Sequence, residues 1–350
     1  MKNQRKIDRR EFIKDVSIAG LGLAAGPALL GMSARKSSAQ VGMSKIVIAN
    51  HPDAVTGVRV DAGGAREMVD TGIMQFTGQP TITGAWASVL PNLSPDDLVT
   101  IKVNCINSSL PTHPQVVDAI VAGLIAAGVK ENNIIIWDRT NHELTNCGYK
   151  RNTGNTGVRC FGTNENGWGY DKQIKPGGRS VRLSKILLSS DHLINVPVLK
   201  DHGTSGVTLS MKNHYGSVDN PGSLHGGQCD PYIAELNNAP EIKDKTRIIV
   251  LDANLGIYQG GPGGSPQFRY NSVVLSQDTV AIDYQGWKIL EAERQKHGRA
   301  LPQAKHIKTA ANMGLGSNNP DEIELEVIDV KTKAVRASGK MRTTWGAIKI

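Results

Sequence analysis

From residue 44 onward, short apolar runs alternate with stretches of helical period. Residues 45–49 (KIVIA), 99–103 (VTIKV) and 134–137 (IIIW) read as strands. Between the second and third, residues 114–127 read as a helix, with Thr112 or His113 near its cap, Pro114 in its first turn and Gly128 after its end. Strand, helix and strand in that order form a βαβ unit, and runs that stay apolar rather than alternating belong to a parallel sheet covered on both faces. Further strands are expected at 192–199, 247–251 and 273–276, then a helix over 278–296 with Asp278 near its start. Edge strands are expected at 322–330 and 346–350. Residues 139–178 break the pattern: they are polar and rich in Asn, Gly and Thr. The expectation is an α/β fold with a mostly parallel central sheet flanked by helices, interrupted by a long irregular insertion. A single domain over residues 40–350 would hold it.

Composition narrows the classes. The 350 residues, 39% of them hydrophobic, can bury a core, which excludes a wholly disordered chain. With 38 Gly against 4 Phe, 5 Trp and 7 Tyr, turns and close backbone approaches should matter more than aromatic packing. Collagen, coiled-coil and multi-span membrane classes are excluded by the same figures. The formal charge of +8 is unevenly spread. Lys2, Arg5, Lys6, Arg9, Arg10, Lys14, Arg35 and Lys36 stand against Asp8, Glu11 and Asp15 in the first 39 residues, a net of +5 that leaves only +3 for the rest. A body so balanced offers no electrostatic case for nucleic acid, and no arginine-rich run or aromatic RNA-reading motif accompanies it.

Those first 39 residues read as a targeting segment: a basic start, an uncharged stretch from Val16 to Ala34, then the small residues Ser37-Ser38-Ala39. Within it, Asp8-Arg9-Arg10-Glu11-Phe12-Ile13-Lys14 resembles the twin-arginine export signal. That resemblance implies passage through the twin-arginine translocase after folding and a periplasmic or other extracytoplasmic destination. The route is often taken by proteins that receive a cofactor before export. Gly20, Gly22, Gly26, Pro27 and Gly31 make the apolar stretch a poor transmembrane helix, so a signal peptide is expected, with an uncleaved anchor as the alternative. Gly20-x-Gly22-x-x-x-Gly26 mimics a dinucleotide fingerprint but follows no strand.

A second resemblance lies in the middle of the chain. Asn195-Val196-Pro197-Val198-Leu199-Lys200-Asp201-His202 and Thr208-Leu209-Ser210-Met211-Lys212-Asn213-His214-Tyr215-Gly216 are similar to the signature of the bacterial and archaeal family of domain of unknown function 362. There a strand ends in Asn-x-Pro-x-x-Lys-x-His and a Thr-x-x-x-Lys-Asn-x-x-Gly segment follows. Lys102-Val103-Asn104, His113-Pro114, Asp278-x-x-Ala281-x-Asp283 and Gly314-Leu315-Gly316 extend the similarity over residues 45–320. Some relatives append a module with Cys-x-x-Cys repeats for iron–sulfur clusters. Cys105, Cys147, Cys160 and Cys229 contain no such pair, which disfavours a ferredoxin-type cluster.

The candidate chemistry gathers around this segment. Lys200 and Lys212 each follow an apolar stretch, where desolvation would lower a lysine toward the range of a base, a Schiff-base former or an anion clamp. His202 is the natural proton-transfer group beside them. Asn195 and Asn213 belong to the same cluster. Asn104, Asp138 and Asp252 follow strands, where open parallel sheets place ligand-binding groups, and Lys102 and His113 could line the same cleft. His192, His202, His214 and His225 fall close together with Cys229 behind them, so a transition-metal site using His202, His214, His225 and Cys229 stays open, as does a structural role for the histidines. Cys147 and Cys160 could pair in an oxidising periplasm. Residues 260–265 (GGPGGS) lack the Lys-Ser/Thr of a P-loop and read as a mobile loop.

Three functions follow from these residues. One is an exported protein that binds a metal or anionic small molecule in a Lys/His/Asn cleft for redox-linked or acid–base chemistry, in the redox case with a partner oxidoreductase. Another is a non-catalytic cofactor-binding or maturation protein. The last is an isomerase or lyase with a lysine base.

Overall fold

The computed structural model describes residues 43–300 and 303–331. The targeting segment with its signal-or-anchor alternative, and the strand expected at 346–350, lie outside them. Among the described residues no helix is long and apolar enough to cross a membrane.

A 10-stranded sheet organises the described chain. In spatial order its main path runs Ile323–Asp329, Ser44–Asn50, Phe268–Ser276, Thr246–Ile257, His192–Asn195, Val99–Lys102, Ile134–Trp137 and Arg159–Cys160. Every pairing from Thr246–Ile257 outward to Arg159–Cys160 is parallel. Phe268–Ser276 is antiparallel to both its neighbours, while Ile323–Asp329 closes the opposite edge in parallel. The fold is therefore α/β with a mostly parallel sheet.

Helices cover both faces because the strands are apolar on both. Ile134 and Ile136 point into one core and Ile135 and Trp137 into the other, the period-2 alternation of a strand buried on each side. The helix Pro114–Ala126 starts where expected, with His113 at its cap and Pro114 in its first turn. Asp278 caps Thr279–Lys296 by accepting from the amides of Val280 and Ala281, both at 2.8 Å.

Three differences from the sequence reading have physical causes. The apolar run at 192–199 forms two strands, His192–Asn195 and Val198–His202, because Pro197 has no amide to continue the ladder. The second strand pairs with the far half of Thr246–Ile257, and the Pro197 carbonyl accepts from Asp252 at 2.9 Å. Residues 139–178 are less irregular than expected, since they supply the helix Asn141–Asn146, the edge strand Arg159–Cys160 and the hairpin strand Tyr170–Ile174. Helices Ala62–Thr77 and Ile82–Val89 have no counterpart in the sequence reading, where Gly63, Gly64 and Gly72 weaken the helical pattern. Gly72 is needed for contact rather than propensity: a Cβ there would lie 2.6 Å from Leu275 of the sheet.

The same close approach joins two helices. A Cβ on Gly123 would fall 2.0 Å from Nε1 of Trp86, whose indole is fully buried. Gly123→Ala gains about 1 kcal/mol of helix propensity, yet it overpacks a rigid ring at a typical cost of about 1–3 kcal/mol. We expect the overpacking to win and the urea unfolding midpoint to fall; an unchanged or raised midpoint would show that Trp86 is free to move aside.

Candidate functional site

The carboxyl ends of Val99–Lys102, Ile134–Trp137 and Val198–His202 open onto a recess of about 150 Å³, where an open parallel sheet places its ligands. Lys102, Asn104, Asp138, His202, Lys212, Asn213 and His225 all line it, so the fold brings these seven sequence candidates together. Thr208, Tyr215, Arg139 and Pro262 complete the walls.

Two of its cations are already neutralised. Lys102 Nζ donates to Asp138 Oδ1 and to the Val103 carbonyl, each at 2.7 Å. Asp138 is further held by the amides of Cys105 at 2.6 Å and Arg139 at 2.9 Å. Gly216 presses on this pair so closely that a Cβ would lie 2.7 Å from Lys102 Nζ and 2.8 Å from Asp138 Oδ1, which explains the glycine in the shared motif. Arg139 pairs with Glu143 on the following helix.

Lys212 differs. Cys229 and Arg139 act on its charge, and no carboxylate among the described residues does. Nζ sits 3.6 Å above the centre of the Tyr215 ring and 3.2 Å from His225 Nε2. The Pro221 carbonyl, 2.9 Å from His225 Nδ1, can only accept, so Nδ1 carries the imidazole proton and Nε2 receives the lysine. Burial lowers Lys212 to about 8.

His202 is held the opposite way round. Its Nδ1 accepts from the amides of Thr204 at 3.0 Å and Ser205 at 3.2 Å, which leaves the proton on Nε2. Burial, then the charges of Lys212, His225 and Lys200, lower its pKa to about 3. His202 therefore presents a neutral Nε2–H donor at the recess, where the sequence reading gave it proton transfer.

Lys200 lies beneath the recess instead of in it. Fully buried, its Nζ donates to Asn104 Oδ1 at 2.7 Å and to the Leu110 carbonyl at 3.1 Å, and burial lowers it to about 8. A lysine can only donate, so it orients a chain of amides. Asn104 Nδ2 donates to Asn213 Oδ1 at 3.0 Å, and Asn213 Nδ2 to Asn195 Oδ1 at 2.7 Å. Asn195 Nδ2 then donates to the Ser210 carbonyl at 2.9 Å and toward His214 Nε2 at 3.3 Å. Lys200 and Asn195 are positioning residues, and Asn104 and Asn213 are the amides that reach the recess.

The short helix Ser210–Asn213, which carries Lys212 and Asn213, is pinned by Asp283. Its Oδ1 accepts from the Ser210 amide at 2.7 Å and hydroxyl at 2.6 Å, and its Oδ2 from the Met211 amide at 3.1 Å. Burial pushes Asp283 up to about 7 against those bonds. This gives the second acid of the Asp278-x-x-Ala281-x-Asp283 motif a structural task.

Three sequence expectations need correction. His113 and Asp252 do not line the recess: they join to each other at 2.6 Å and tie the start of Pro114–Ala126 to the central strand. Burial works against a charged His113, but the Asp252 charge and hydrogen bond outweigh it and raise its pKa. The metal set His202, His214, His225 and Cys229 does not converge as a metal site, and most of its nitrogens are committed elsewhere. His214 contacts Asn195 and Ser217 through its two nitrogens, His225 contacts Pro221 and Lys212, and His202 Nδ1 holds two amides. Among the described residues no three His, Cys, Asp or Glu side chains converge as a metal site. Finally, Cys147 does not pair with Cys160; all four cysteines are free, and Cys147 lies against Cys105. Residues 260–265 also spend their polar groups internally, with the Gly261 amide on Asp201 at 2.6 Å and the Pro262 and Gly264 carbonyls on Asn107.

Sequence reasoning missed His306, which is fully buried and close enough to Lys212 and His202 for their charges to act on it. Burial, assisted by those two charges, lowers it to about 3. It comes from a distant helix, Lys305–Asn312, so its separation along the chain gave no signal.

The fold and recess together define an α/β protein with a small cationic pocket at the carboxyl end of its sheet. The sequence pattern described as Domain of unknown function (DUF362) matches residues 99–288, and the chain belongs to that family. No curated protein sequence matches it. Among solved structures, a protein from Thermotoga maritima is 13% identical with a TM-score of 0.31, over 66% of this chain and 58% of that one. The lactate racemase apoprotein from Thermoanaerobacterium thermosaccharolyticum is 12% identical with a TM-score of 0.36, over 70% of this chain and 57% of its own. This chain spans less than two thirds of either structure.

The Lys102–Asp138 pair generates an asymmetric prediction. Asp138→Ala strands a buried ammonium and should destabilise the fold by about 3–5 kcal/mol. Lys102→Met leaves a carboxylate that keeps two backbone donors, so it should cost clearly less. Urea titrations of the two variants check the order, and equal losses would contradict it.

Proposed function

We propose that this protein binds a small anion in the recess and that Lys212 exchanges a proton with it. One observation carries the reading: Lys212 is a buried cation facing the recess with no carboxylate beside it among the described residues, whereas Lys102 and Arg139 each have one. An anion would supply the missing charge, and a charge-assisted hydrogen bond of this kind contributes about 1.5–3 kcal/mol. The His202 Nε2–H and the amides of Asn104 and Asn213 would orient it. A recess of about 150 Å³ suits a ligand of few heavy atoms, since an engineered cavity of about that volume holds benzene.

The value of about 8 for Lys212 favours acid–base work over mere holding. A neutral fraction of this amine exists near neutral pH and could take a proton from carbon, as an isomerase or lyase requires. Arg9-Arg10 and the segment around them support export by the twin-arginine translocase, which would place this chemistry outside the cytoplasm. Fusing residues 1–42 to a reporter and testing its export with and without Arg9→Lys/Arg10→Lys checks that part; equal export would refute it.

Malonate serves as the probe for the recess because its charge is constant above neutral pH. Calorimetry should show its affinity falling above pH 8, as Lys212 loses its proton, while His202, lowered to about 3, adds no step of its own near 6.5. Lys212→Met should weaken binding at least about tenfold, equivalent to about 1.4 kcal/mol, and remove the fall above pH 8. Binding that survives Lys212→Met unchanged would refute the proposal. In deuterated water, Lys212-dependent exchange of the malonate C–H would support the acid–base reading, and binding without exchange would favour a protein that only holds its ligand.

A further inference from the structure

Behind the recess, in the hydrophobic core, lies a pair of thiols that the anion reading does not use. Cys105 sits between Asn104 and Ile106, both of which line the recess, and its amide donates to Asp138 at 2.6 Å. Cys147 caps the end of Asn141–Asn146, and its Sγ lies 3.6 Å from the Cys105 carbonyl. The two thiols also hydrogen-bond to each other. These residues are 42 positions apart in sequence and come from different elements, so the fold itself brings them together.

We propose that Cys105 and Cys147 form a redox-active dithiol beneath the recess, closed to a disulfide by exchange with an external disulfide. Cys147 is the attacking thiol. It lies between the exposed residues Thr145, Asn146 and Gly148 at the end of a six-residue helix, so a small local opening uncovers it. The Cys105 thiol donates to its sulfur and lowers its pKa, while Cys105 itself is raised by burial. In the first step the Cys147 thiolate attacks one sulfur of the external disulfide, the external S–S bond breaks, and one thiolate leaves. Cys105 passes its proton to that leaving group and attacks Cys147 Sγ, forming the internal S–S bond and expelling the second external thiol. Two protein thiols are oxidised and one external disulfide is reduced to two thiols. Cys160, pushed up to about 12 by burial on the sheet edge, is the inert control.

Oxidised glutathione is the probe. The native, reduced full-length protein is incubated with it, remaining thiols are alkylated, and the digest is read by mass spectrometry without reduction. The expected result is one internal bond joining the Cys105 and Cys147 peptides, with Cys160 and Cys229 alkylated. A Cys147–Cys160 bond, or alkylation of both Cys105 and Cys147, would overturn the proposal. In Cys105→Ser, Cys147 should accumulate as the glutathione mixed disulfide; in Cys147→Ser, Cys105 should stay free. Absence of that adduct in Cys105→Ser, confirmed as folded by circular dichroism, would also overturn it. None of these outcomes depends on whether the recess binds an anion.

Discussion

Buried positive charge organises this protein. Lys102, Lys200 and Lys212 are all buried around one recess, and only Lys102 has a carboxylate partner there. An ammonium removed from water is costly unless it is paired or solvated by protein dipoles. The fold meets that cost in three ways. Asp138 neutralises Lys102, the Asn104 and Leu110 carbonyl oxygens solvate Lys200, and the face of Tyr215 with one nitrogen of His225 supports Lys212. The last arrangement leaves positive charge at the recess, and that excess is what the proposed anion would meet.

The rest of the site follows from holding these charges still. Lys200 can only donate, so it fixes which way Asn104, Asn213 and Asn195 point. Backbone carbonyls and amides fix the two recess imidazoles in opposite tautomers, His202 as donor and His225 as acceptor. Asp283 anchors the short helix bearing Lys212, while Gly216 lets the chain pass against the Lys102–Asp138 pair. The shared motif is thus a set of parts for one electrostatic arrangement, several of which never touch the recess.

Much of the fold was legible because doubly buried parallel strands are continuous apolar runs, as at Ile134–Trp137, and because His113-Pro114 and Asp278 mark helix starts by their own chemistry. The helix Ala62–Thr77 was not legible, since its glycines are chosen for contact with the sheet, as Gly72 is with Leu275. Pro197 was visible, yet its effect depends on which half of Thr246–Ile257 each strand finds. At the site, proximity in sequence grouped Lys212 and His202, which share the recess, with residues that the fold turns elsewhere. His214 faces Asn195 and Ser217, and Asp252 faces His113, because a polar residue after a strand can point into a cap as readily as into a cleft. Cys147 meets Cys105 rather than Cys160 for the same reason: tertiary structure, not spacing, decides partners.

Under the proposed function, an anion completes the charge of Lys212, a buried cation with no carboxylate partner among the described residues. Nitrogen-15 NMR of lysine-labelled protein, with Lys212→Met to assign the signal, measures its titration directly. A midpoint near 8 is expected in the free protein, with a rise on adding malonate, because a bound anion stabilises the charged form. A midpoint at the ordinary lysine value, or one that malonate leaves unmoved, would contradict the proposal.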